Sequence, residues 1–515
     1  MLLHDVFEFH ARSRPDLLFA VDGDCTETYG GALETTRRVA GALARSGVGP
    51  GDRFGFVGSN SLEHVVVYYA ASMVGAVPVP LNPRLAPAEI ALALADSGAR
   101  GLVADAEAAA AVHETVDLPL RVAVSAPPEG WLAWDQWIDG DPLPADHPRT
   151  SADATLYQMY TSGTTGSPKG VILSHRAVLA NCAQVTAGVA RGVDVGDRWL
   201  IVAPLFHAAA VITAFNCVIG GGCLVVHRAF DPAGVVQALQ RERIALTTLV
   251  PVMIQACLAV PGVDSHDYPD LQSIAYGGSA IAEPVLRQAI EVFSCDFYQG
   301  FGQTESSAGL TYLTDADHRR ALDGRPELLA SCGRPLPGTE IRIVDDTGAP
   351  VPVGTVGEIV ARGPQLMDGY WNRPDETART LAGGWLHTGD LGFVDDDDHL
   401  TVCDRRTDMI VSGGENVASR EVESVLLAHP AVADVAVIAV PDERWGEAVH
   451  AVVVPAPGYV VELEALVAHC AEFLARFKAP RSVETTDAIP RNAGGKILKA
   501  ALREPHWAGR ERRVG

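Results

Sequence analysis

The chain has few aromatic residues and no closely spaced pair of cysteines. Aromatic side chains make up 6% of its 515 residues. The nine cysteines are scattered from Cys25 to Cys470, with no Cys-x-x-Cys pair and no metal-binding spacing. This distribution argues against a disulfide framework and against a zinc site formed by cysteines. It predicts reduced, mostly buried thiols in a cytoplasmic protein.

Positive charge is scarce as well. Lys and Arg number 40 against 64 Asp and Glu, which gives a net charge of −24. Nucleic acids and anionic membranes attract basic patches, so we expect neither as a partner. A hydrophobic fraction of 48% with 20% charged residues is typical of a soluble globular protein.

The sequence lacks an uninterrupted hydrophobic run long enough to span a membrane. Residues 208–226 are uncharged, but Asn216 and the glycines at 220–222 interrupt them. We therefore predict a buried helix followed by a strand in this stretch, and no membrane span. The first ten residues carry acidic side chains and no apolar core, so we expect no signal peptide.

The length predicts at least two domains, because one hydrophobic core does not extend over 515 residues. In the first 150 residues, helical patterns at 32–46 and 62–74 alternate with apolar runs at 54–57 and 76–81. That alternation is typical of βαβ units and predicts a parallel sheet.

The strongest functional signal is the segment 160–170, which reads Tyr-Thr-Ser-Gly-Thr-Thr-Gly-Ser-Pro-Lys-Gly. Its glycines allow close approach of the backbone to a ligand, and its hydroxyls and lysine suit phosphate oxygens. It is not a Walker loop, because Pro168 and Gly170 flank Lys169 where that motif has Gly and Ser or Thr. Short strands predicted at 154–160 and 171–173 flank the segment, so we interpret it as a phosphate-binding loop between two strands.

This segment resembles the phosphate loop of the adenylate-forming enzymes, which include acyl-CoA synthetases, amino-acid-activating domains of peptide synthetases and beetle luciferases. The resemblance runs over nearly the whole chain, through motifs at 204–207, 274–279, 298–305, 384–390, 404–410, 412–416 and 490–497. It implies an α/β fold with a large N-terminal domain of several subdomains, residues 1–403. A small, mobile α/β domain, residues 404–515, would follow, with a hinge at Thr407.

The resemblance also implies roles for single residues. The ATP phosphates would lie on Thr161, Ser162, Gly163, Thr164, Thr165, Gly166 and Lys169. The rest of the nucleotide would be bound by Gly278 and Phe301 at the adenine, Asp390 at the ribose hydroxyls and Arg405 at ribose or phosphate.

Four further residues would take part in catalysis. Lys496 matches the catalytic lysine of the family, Thr304 would touch the α-phosphate, and Glu305 would hold Mg²⁺. His207 would lie beside the substrate carboxylate, where amino-acid-activating domains have an aspartate. The loop at Gly413 and Gly414 would line the path of the CoA thiol, although Ala418-Ser419 replaces the family's usual Tyr-Pro.

Several patterns have simpler structural interpretations. The tryptophans at 131, 134 and 137 are expected to pack an irregular segment, since buried aromatic rings mainly serve packing. The acidic run 395–398 is expected at a solvated hairpin tip and not at a calcium site. The stretch 357–374 matches a family segment that is mainly architectural. In the small domain, strands are expected at 435–440 and 448–454, and apolar residues from Leu463 to Phe477 are expected on one helical face.

Together these features predict an ATP-dependent carboxylate–CoA ligase using ATP, Mg²⁺ and CoA, with a medium- or long-chain fatty acid as substrate. Alternatives are an aryl-acid–CoA ligase, a ligase that loads the phosphopantetheine of a carrier protein, a luciferase-like oxygenase, and a nucleotide-binding protein without activity. We expect a monomer or homodimer.

Overall fold

The computed structural model describes residues 1–161, 168–188, 193–278, 281, 283–413, 415–442, 444–492 and 495–508. Of the predicted site residues, Ser162, Gly163, Thr164, Thr165, Gly166 and Gly414 lie outside these ranges.

Strands form five sheets. In chain order they are β1 (Leu18–Asp22), β2 (Cys25–Thr28), β3 (Arg53–Val57), β4 (Val77–Leu81), β5 (Gly101–Ala104), β6 (Leu120–Ala123), β7 (Leu132–Ala133), β8 (Thr155–Thr161), β9 (Lys169–Ser174), β10 (Arg198–Ile201), β11 (Cys223–Val226), β12 (Ile244–Leu249), β13 (Ser273–Gly277), β14 (Asp296–Phe301), β15 (Thr311–Leu313), β16 (Arg334–Pro335), β17 (Glu340–Val344), β18 (Gly357–Arg362), β19 (Gly369–Tyr370), β20 (Leu386–Val394), β21 (Leu400–Arg405), β22 (Ile410–Ser412), β23 (Glu415–Val417), β24 (Val432–Asp442), β25 (Gly446–Pro455) and β26 (Ser482–Thr485).

Helices cover or connect these sheets. They are α1 (Leu3–Ser13), α2 (Tyr29–Arg45), α3 (Leu62–Val74), α4 (Pro87–Ser97), α5 (Ala106–Val112), α6 (Trp134–Ile138), α7 (His175–Gly188), α8 (Ala208–Ile219), α9 (Pro232–Arg241), α10 (Pro251–Leu258), α11 (Glu283–Phe293), α12 (Asp315–Leu322), α13 (Pro374–Thr380), α14 (Ser419–Leu427), α15 (Leu463–Phe473) and α16 (Lys499–Trp507).

Residues 1–150 contain the parallel sheet that the βαβ pattern predicted. Strands β3 to β7 form one sheet in which all neighbours are parallel, in the order β4-β3-β5-β6-β7. Helix α3 spans the predicted residues because both of its ends are marked in the sequence. The Ser61 hydroxyl accepts the His64 N–H at the start, and Gly75 ends the helix at φ +74°, which glycine adopts without strain. The tryptophans at 131, 134 and 137 are buried in the apolar clusters around this sheet, which confirms a packing role.

A nine-stranded mixed sheet forms the centre of the large domain, in the order β16-β15-β14-β13-β12-β10-β11-β1-β2. Its strands β10, β12, β13 and β14 run parallel, so their carboxyl ends lie at one edge. The uncharged stretch 208–226 forms the buried helix α8 and strand β11, as predicted. Among the described residues, no helix is long and apolar enough to cross a membrane.

Two smaller antiparallel sheets carry the remaining motifs of the large domain. Strands β8 and β9 pair so that Thr161 lies opposite Lys169, which confirms that the phosphate loop joins two strands. Strand β19 adds to β9 through the pair Tyr370 and Val171. In the sheet β17-β18-β20-β21, the acidic run 395–398 forms the turn between β20 and β21, as expected of a hairpin tip.

The small domain is built on β22 to β26. Strands β24 and β25 pair with each other, as predicted. They run antiparallel and enclose an apolar core with α14 and α15. The prediction that the apolar residues from Leu463 to Phe477 lie on one helix is wrong after Phe473. Helix α15 stops at Phe473, whose side chain is 64% exposed, and Leu474 is extended. The apolar spacing continues past this break because Phe477 lies in a separate 3₁₀ turn, Arg476–Lys478.

Candidate active site

A cavity of about 600 Å³ lies between the carboxyl edge of the large sheet, the β8–β9 hairpin and the small domain. Eight of the predicted site residues line it: Thr161, Lys169, His207, Gly278, Thr304, Glu305, Arg405 and Lys496. These residues come from both ends of the chain, so the fold brings together motifs that are far apart in sequence.

Asp390 is a buried carboxylate next to this cavity. Its side chain is held by the Gln303 amide, at 2.9 Å, and by the Arg405 guanidinium, at 3.2 Å. Strand register fixes the second contact, because Asp390 on β20 lies opposite Arg405 on β21. A buried carboxylate held in one orientation can accept hydrogen bonds from two neighbouring hydroxyls, as a ribose offers.

Glu305 and Lys169 also line the cavity, and both contact Tyr370. The Tyr370 hydroxyl donates to Glu305 Oε1 at 2.8 Å. Burial of the ring, and to a smaller extent the negative charge of Glu305, raises the pKa of Tyr370. The hydroxyl therefore stays protonated and remains a donor. The Lys169 ammonium lies 5.2 Å from the Tyr370 ring centroid and 3.2 Å from the Glu376 carboxylate. Lys169 therefore lines the cavity while its charge is paired with an acidic residue on α13.

Lys496 reaches the cavity from the small domain. Its backbone pairs with Asn492 in a tight hairpin, and both residues line the cavity. Gly495 in the same hairpin has φ +79°, and a Cβ there would lie 3.3 and 3.4 Å from methyl groups of Val250 and Val252 at the start of α10. The lysine hairpin therefore packs directly on the large domain.

Burial, followed by the charge of Arg405, lowers the pKa of Lys496 to about 8. If the charged ammonium is needed at the phosphates, kcat/KM for ATP should be level below about pH 8 and fall roughly tenfold per pH unit above it. The sign follows because a lowered lysine pKa means that charge is lost as the pH rises. A pH profile of ATP–pyrophosphate exchange measures this. Lys496→Arg should remove the alkaline fall, since arginine stays charged; an unchanged fall in that variant would assign it to another group.

His207 is the residue that precedes α8, and it lines the same cavity. Its Nε2 atom is buried without a hydrogen-bond partner among the described residues. Burial, with a smaller effect of Arg84, lowers the pKa of His207 to about 4, so the ring is neutral near pH 7 and can donate one hydrogen bond. The wall beyond it is mainly apolar and includes Val185, Val193, Trp199, Ile212, Leu246, Leu249 and Met253.

Phe301 and Gly413 are not among the residues that line the cavity. Phe301 packs partly buried against two apolar clusters, next to the cavity residues Gly300 and Gly302. Gly413 has φ +63° and donates its N–H to the Trp445 carbonyl at 2.8 Å, and a Cβ there would lie 2.6 Å from the Trp445 ring. The structure thus brings Lys496, and not Gly413, to the cavity.

Sequence reasoning missed three residues of the site. Gln303 orients Asp390, and Glu376 pairs with Lys169. Tyr370 contacts both Glu305 and Lys169, although its segment was expected to be mainly architectural. Gln303 lies inside a recognised motif and could have been suspected, whereas the contacts of Tyr370 and Glu376 depend on how β19 and α13 fold onto the hairpin.

Comparison with protein families decides the assignment. The family model described as AMP-binding enzyme matches residues 7–371, and the AMP-binding enzyme C-terminal domain matches residues 421–496. The chain is an AMP-binding enzyme. Within this family it is an AMP-forming acid–thiol ligase that activates its acid as an acyl-adenylate. The predicted domain boundary at 403/404 falls between the two matches and stays a prediction.

This AMP-binding enzyme is similar to proteins with different acids and acceptors. Feruloyl-CoA synthase of Amycolatopsis sp is 40% identical, with 96% of each chain covered. Fatty acid–[acyl-carrier-protein] ligase ScoC of Streptomyces coeruleorubidus is 37% identical, with 98% of this chain and 96% of the relative covered. The solved structure of o-succinylbenzoate CoA synthetase from Bacillus subtilis, with its acyl-adenylate intermediate, has a TM-score of 0.85 at 30% identity, covering 99% of both chains.

Proposed function

We propose that the chain joins an apolar carboxylic acid to CoA and that the residues around the 600 Å³ cavity carry out the first step. The observation that carries this proposal is the charge pattern of one cavity. Lys169, Lys496 and Arg405 line it, and so do many uncharged, largely apolar residues. A triphosphate and an apolar acid therefore both have a matching environment.

In the first step, a carboxylate oxygen of the acid attacks the α-phosphorus of ATP, and the bond to pyrophosphate breaks. Negative charge builds on the phosphate oxygens, where Lys169 and Lys496 supply fixed positive charge and Thr304 a hydroxyl donor. His207 would donate to the attacking carboxylate group. Asp390, held by Gln303 and Arg405, would hold the ribose, so the two reactants would meet in line.

Glu305 fits the role of a Mg²⁺ ligand. Its carboxylate lies in the cavity wall, one oxygen is anchored by Tyr370, and hard oxygen donors are those that Mg²⁺ prefers. Bound Mg²⁺ would neutralise charge on the phosphates.

The acid is proposed to be apolar because no carboxylate lies in the described wall around His207. Among the described residues that line the cavity, only Glu305 and Glu358 are acidic. The Glu358 carboxylate already lies 3.1 Å from the His387 ring nitrogen. A substrate ammonium would therefore be left without a partner, which is costly in a buried site. Fatty acids and aryl acids both meet this requirement.

An ATP–pyrophosphate exchange screen tests this proposal. Medium- and long-chain fatty acids, hydroxycinnamic acids and benzoic acids should drive Mg²⁺-dependent exchange, and α-amino acids should not exceed the rate without acid. Exchange driven best by an α-amino acid would refute the proposed acid class. Absence of exchange with every acid tested would refute the proposal that the enzyme activates acids of these classes as acyl-adenylates.

We infer that CoA is the acceptor from the surroundings of Trp445. The guanidinium carbons of Arg444 and Arg481 lie 4.7 and 4.4 Å from its ring, and its carbonyl holds Gly413. An aromatic ring with two guanidinium groups, next to Gly413, suits CoA, because the ring can stack on the adenine and the two cations can bind the phosphates. A carrier protein is the second candidate, because the similar enzyme ScoC is named for that acceptor.

Gly413 and Lys496 both belong to the small domain, and of these two residues only Lys496 lines the cavity. The small domain must therefore turn before the thiol can attack the acyl carbonyl and release AMP. We place the pivot at Thr407. It lies in a turn in which the Asp408 N–H donates to the Arg405 carbonyl at 2.9 Å, directly after the last strand of the large domain.

Trp445→Ala should raise KM for CoA roughly tenfold, since stacking on an aromatic ring contributes about 1–3 kcal/mol. ATP–pyrophosphate exchange should not change, because Trp445 does not line the cavity. Trp385→Ala is a matched control, because Arg342 and Arg362 lie 4.3 and 4.8 Å from that ring on the large domain. An unchanged KM for CoA, with a changed KM for a holo-carrier protein, would favour the carrier.

A further inference from the structure

A second group of potential ligand atoms lies on the small domain, away from the cavity. It consists of His450 on β25, Glu484 on β26 and His506 on α16, with the three nearest donor atoms within 4.8 Å of one another. The two imidazole rings are 4.9 Å apart between centroids. None of these residues lines the active-site cavity.

Strand register explains why the group exists. His450 pairs with Ser482 across β25 and β26, and Glu484 follows two residues later, so its side chain shares the Ser482 face. Helix α16 covers this face of the sheet and brings His506. The neighbouring Trp507 indole donates to the Ala439 carbonyl on β24 at 2.9 Å, which fixes the end of the helix.

Two of the three distances between the donor atoms are close to those of a metal site, and the third is at most 4.8 Å. Glu484 Oε2 lies 3.7 Å from His450 Nε2 and 3.8 Å from His506 Nε2. Two ligand atoms at zinc bonding distances and a tetrahedral angle would lie about 3.4 Å apart. Side-chain movements of a few tenths of an ångström would therefore bring the carboxylate to both rings, and Glu484, which is exposed, is able to make them.

His450 shows the orientation expected of a metal ligand. It is 5% exposed, and its Nδ1 atom lies 2.7 Å from the Ser482 hydroxyl. Its Nε2 atom is buried and has no hydrogen-bond partner among the described residues. Metal-binding histidines are typically held in this way through their second ring nitrogen.

We propose that His450, Glu484 and His506 form a binding site for a divalent transition metal of the Zn²⁺ class. Two imidazoles and one carboxylate are suitable Zn²⁺ donors, and with three protein ligands a water molecule completes the tetrahedron. Bound metal would tie α16 to β25 and β26. Because α16 begins at Lys499, three residues after Lys496, this tie would stabilise the segment that follows the catalytic hairpin.

The test uses the full-length chain without an affinity tag, stripped of metal. Titration with Co²⁺, as a spectroscopic probe for Zn²⁺, should give visible absorption bands of a four-coordinate site that saturate at one ion per chain. Zn²⁺ should displace Co²⁺ and raise the unfolding midpoint. His450→Gln, Glu484→Gln and His506→Gln should each abolish the bands, and Ser482→Ala should weaken binding about tenfold.

His429→Gln is the matched control. His429 and His469 form a second histidine pair on the small domain, with ring centroids 5.2 Å apart, and belong to no three-ligand group among the residues the structure describes. This variant should keep the bands. ATP–pyrophosphate exchange without added transition metal should be equal in all variants, which shows that they are folded. Absence of saturable binding, or binding that survives Glu484→Gln and His506→Gln, would overturn the proposal.

Discussion

Replacing Lys496 with alanine should slow acyl-adenylate formation by at least about 100-fold while leaving thioester formation from a supplied acyl-adenylate nearly unchanged. The ammonium lies in a buried environment that lowers its pKa, next to Arg405 and Asp390. Its charge is useful only while negative charge builds on the phosphate, which happens in the first step. Single-turnover measurements of each half-reaction separate the two effects.

Lys478→Ala provides the control for removing a lysine from the small domain. Lys478 forms an ion pair with Glu421 at 2.6 Å and does not line the cavity, so both half-reactions should be preserved. Equal losses in the two half-reactions of Lys496→Ala would show that the lysine supports the fold of the hairpin and not the first step.

A disulfide between positions 250 and 495 should stop thioester formation completely while adenylate formation continues. A Cβ at Gly495 would lie 3.8 Å from the Val250 Cβ, which is the usual spacing of a disulfide. Val250→Cys with Gly495→Cys would therefore lock the lysine hairpin onto the large domain. If the small domain must turn between the two steps, oxidised protein should retain pyrophosphate exchange and lose CoA acylation by orders of magnitude.

The reduced form of the same double variant is its own control, because it carries the same strain at φ +79° and the same change in the cavity wall. Addition of reductant should restore acylation. Equal acylation before and after reduction, with the crosslink verified by mass, would mean that the thiol step proceeds without moving the hairpin, and the pivot at Thr407 would be refuted.

The sequence was most informative where a motif lies within one turn or strand. Lys169 and Thr161 were recognised together, and they face each other across β8 and β9 because the loop between them is short. Asp390 and Arg405 were recognised in separate motifs. Their contact follows from the hairpin between β20 and β21, which the acidic turn already indicated.

The contacts that sequence could not predict join distant segments. Tyr370 and Glu305 are 65 residues apart, and their hydrogen bond depends on β19 adding to β9. Glu376 reaches Lys169 only through the position of α13. The end of α15 was misplaced because apolar spacing reports which residues are buried together, and it cannot tell a continuous helix from a helix followed by a turn.

The packing of the lysine hairpin on Val250 and Val252 has a consequence for steady-state kinetics. While that contact exists, Gly413 does not line the cavity, so we expect the complex of the enzyme with ATP, acid and CoA together to be unproductive. Pyrophosphate has to depart before CoA can react, and double-reciprocal plots of CoA against ATP should be parallel. The same order implies that acyl-adenylate made without CoA should remain in the cavity while the lysine hairpin packs on Val250 and Val252, and it should then be hydrolysed slowly between the half-reactions.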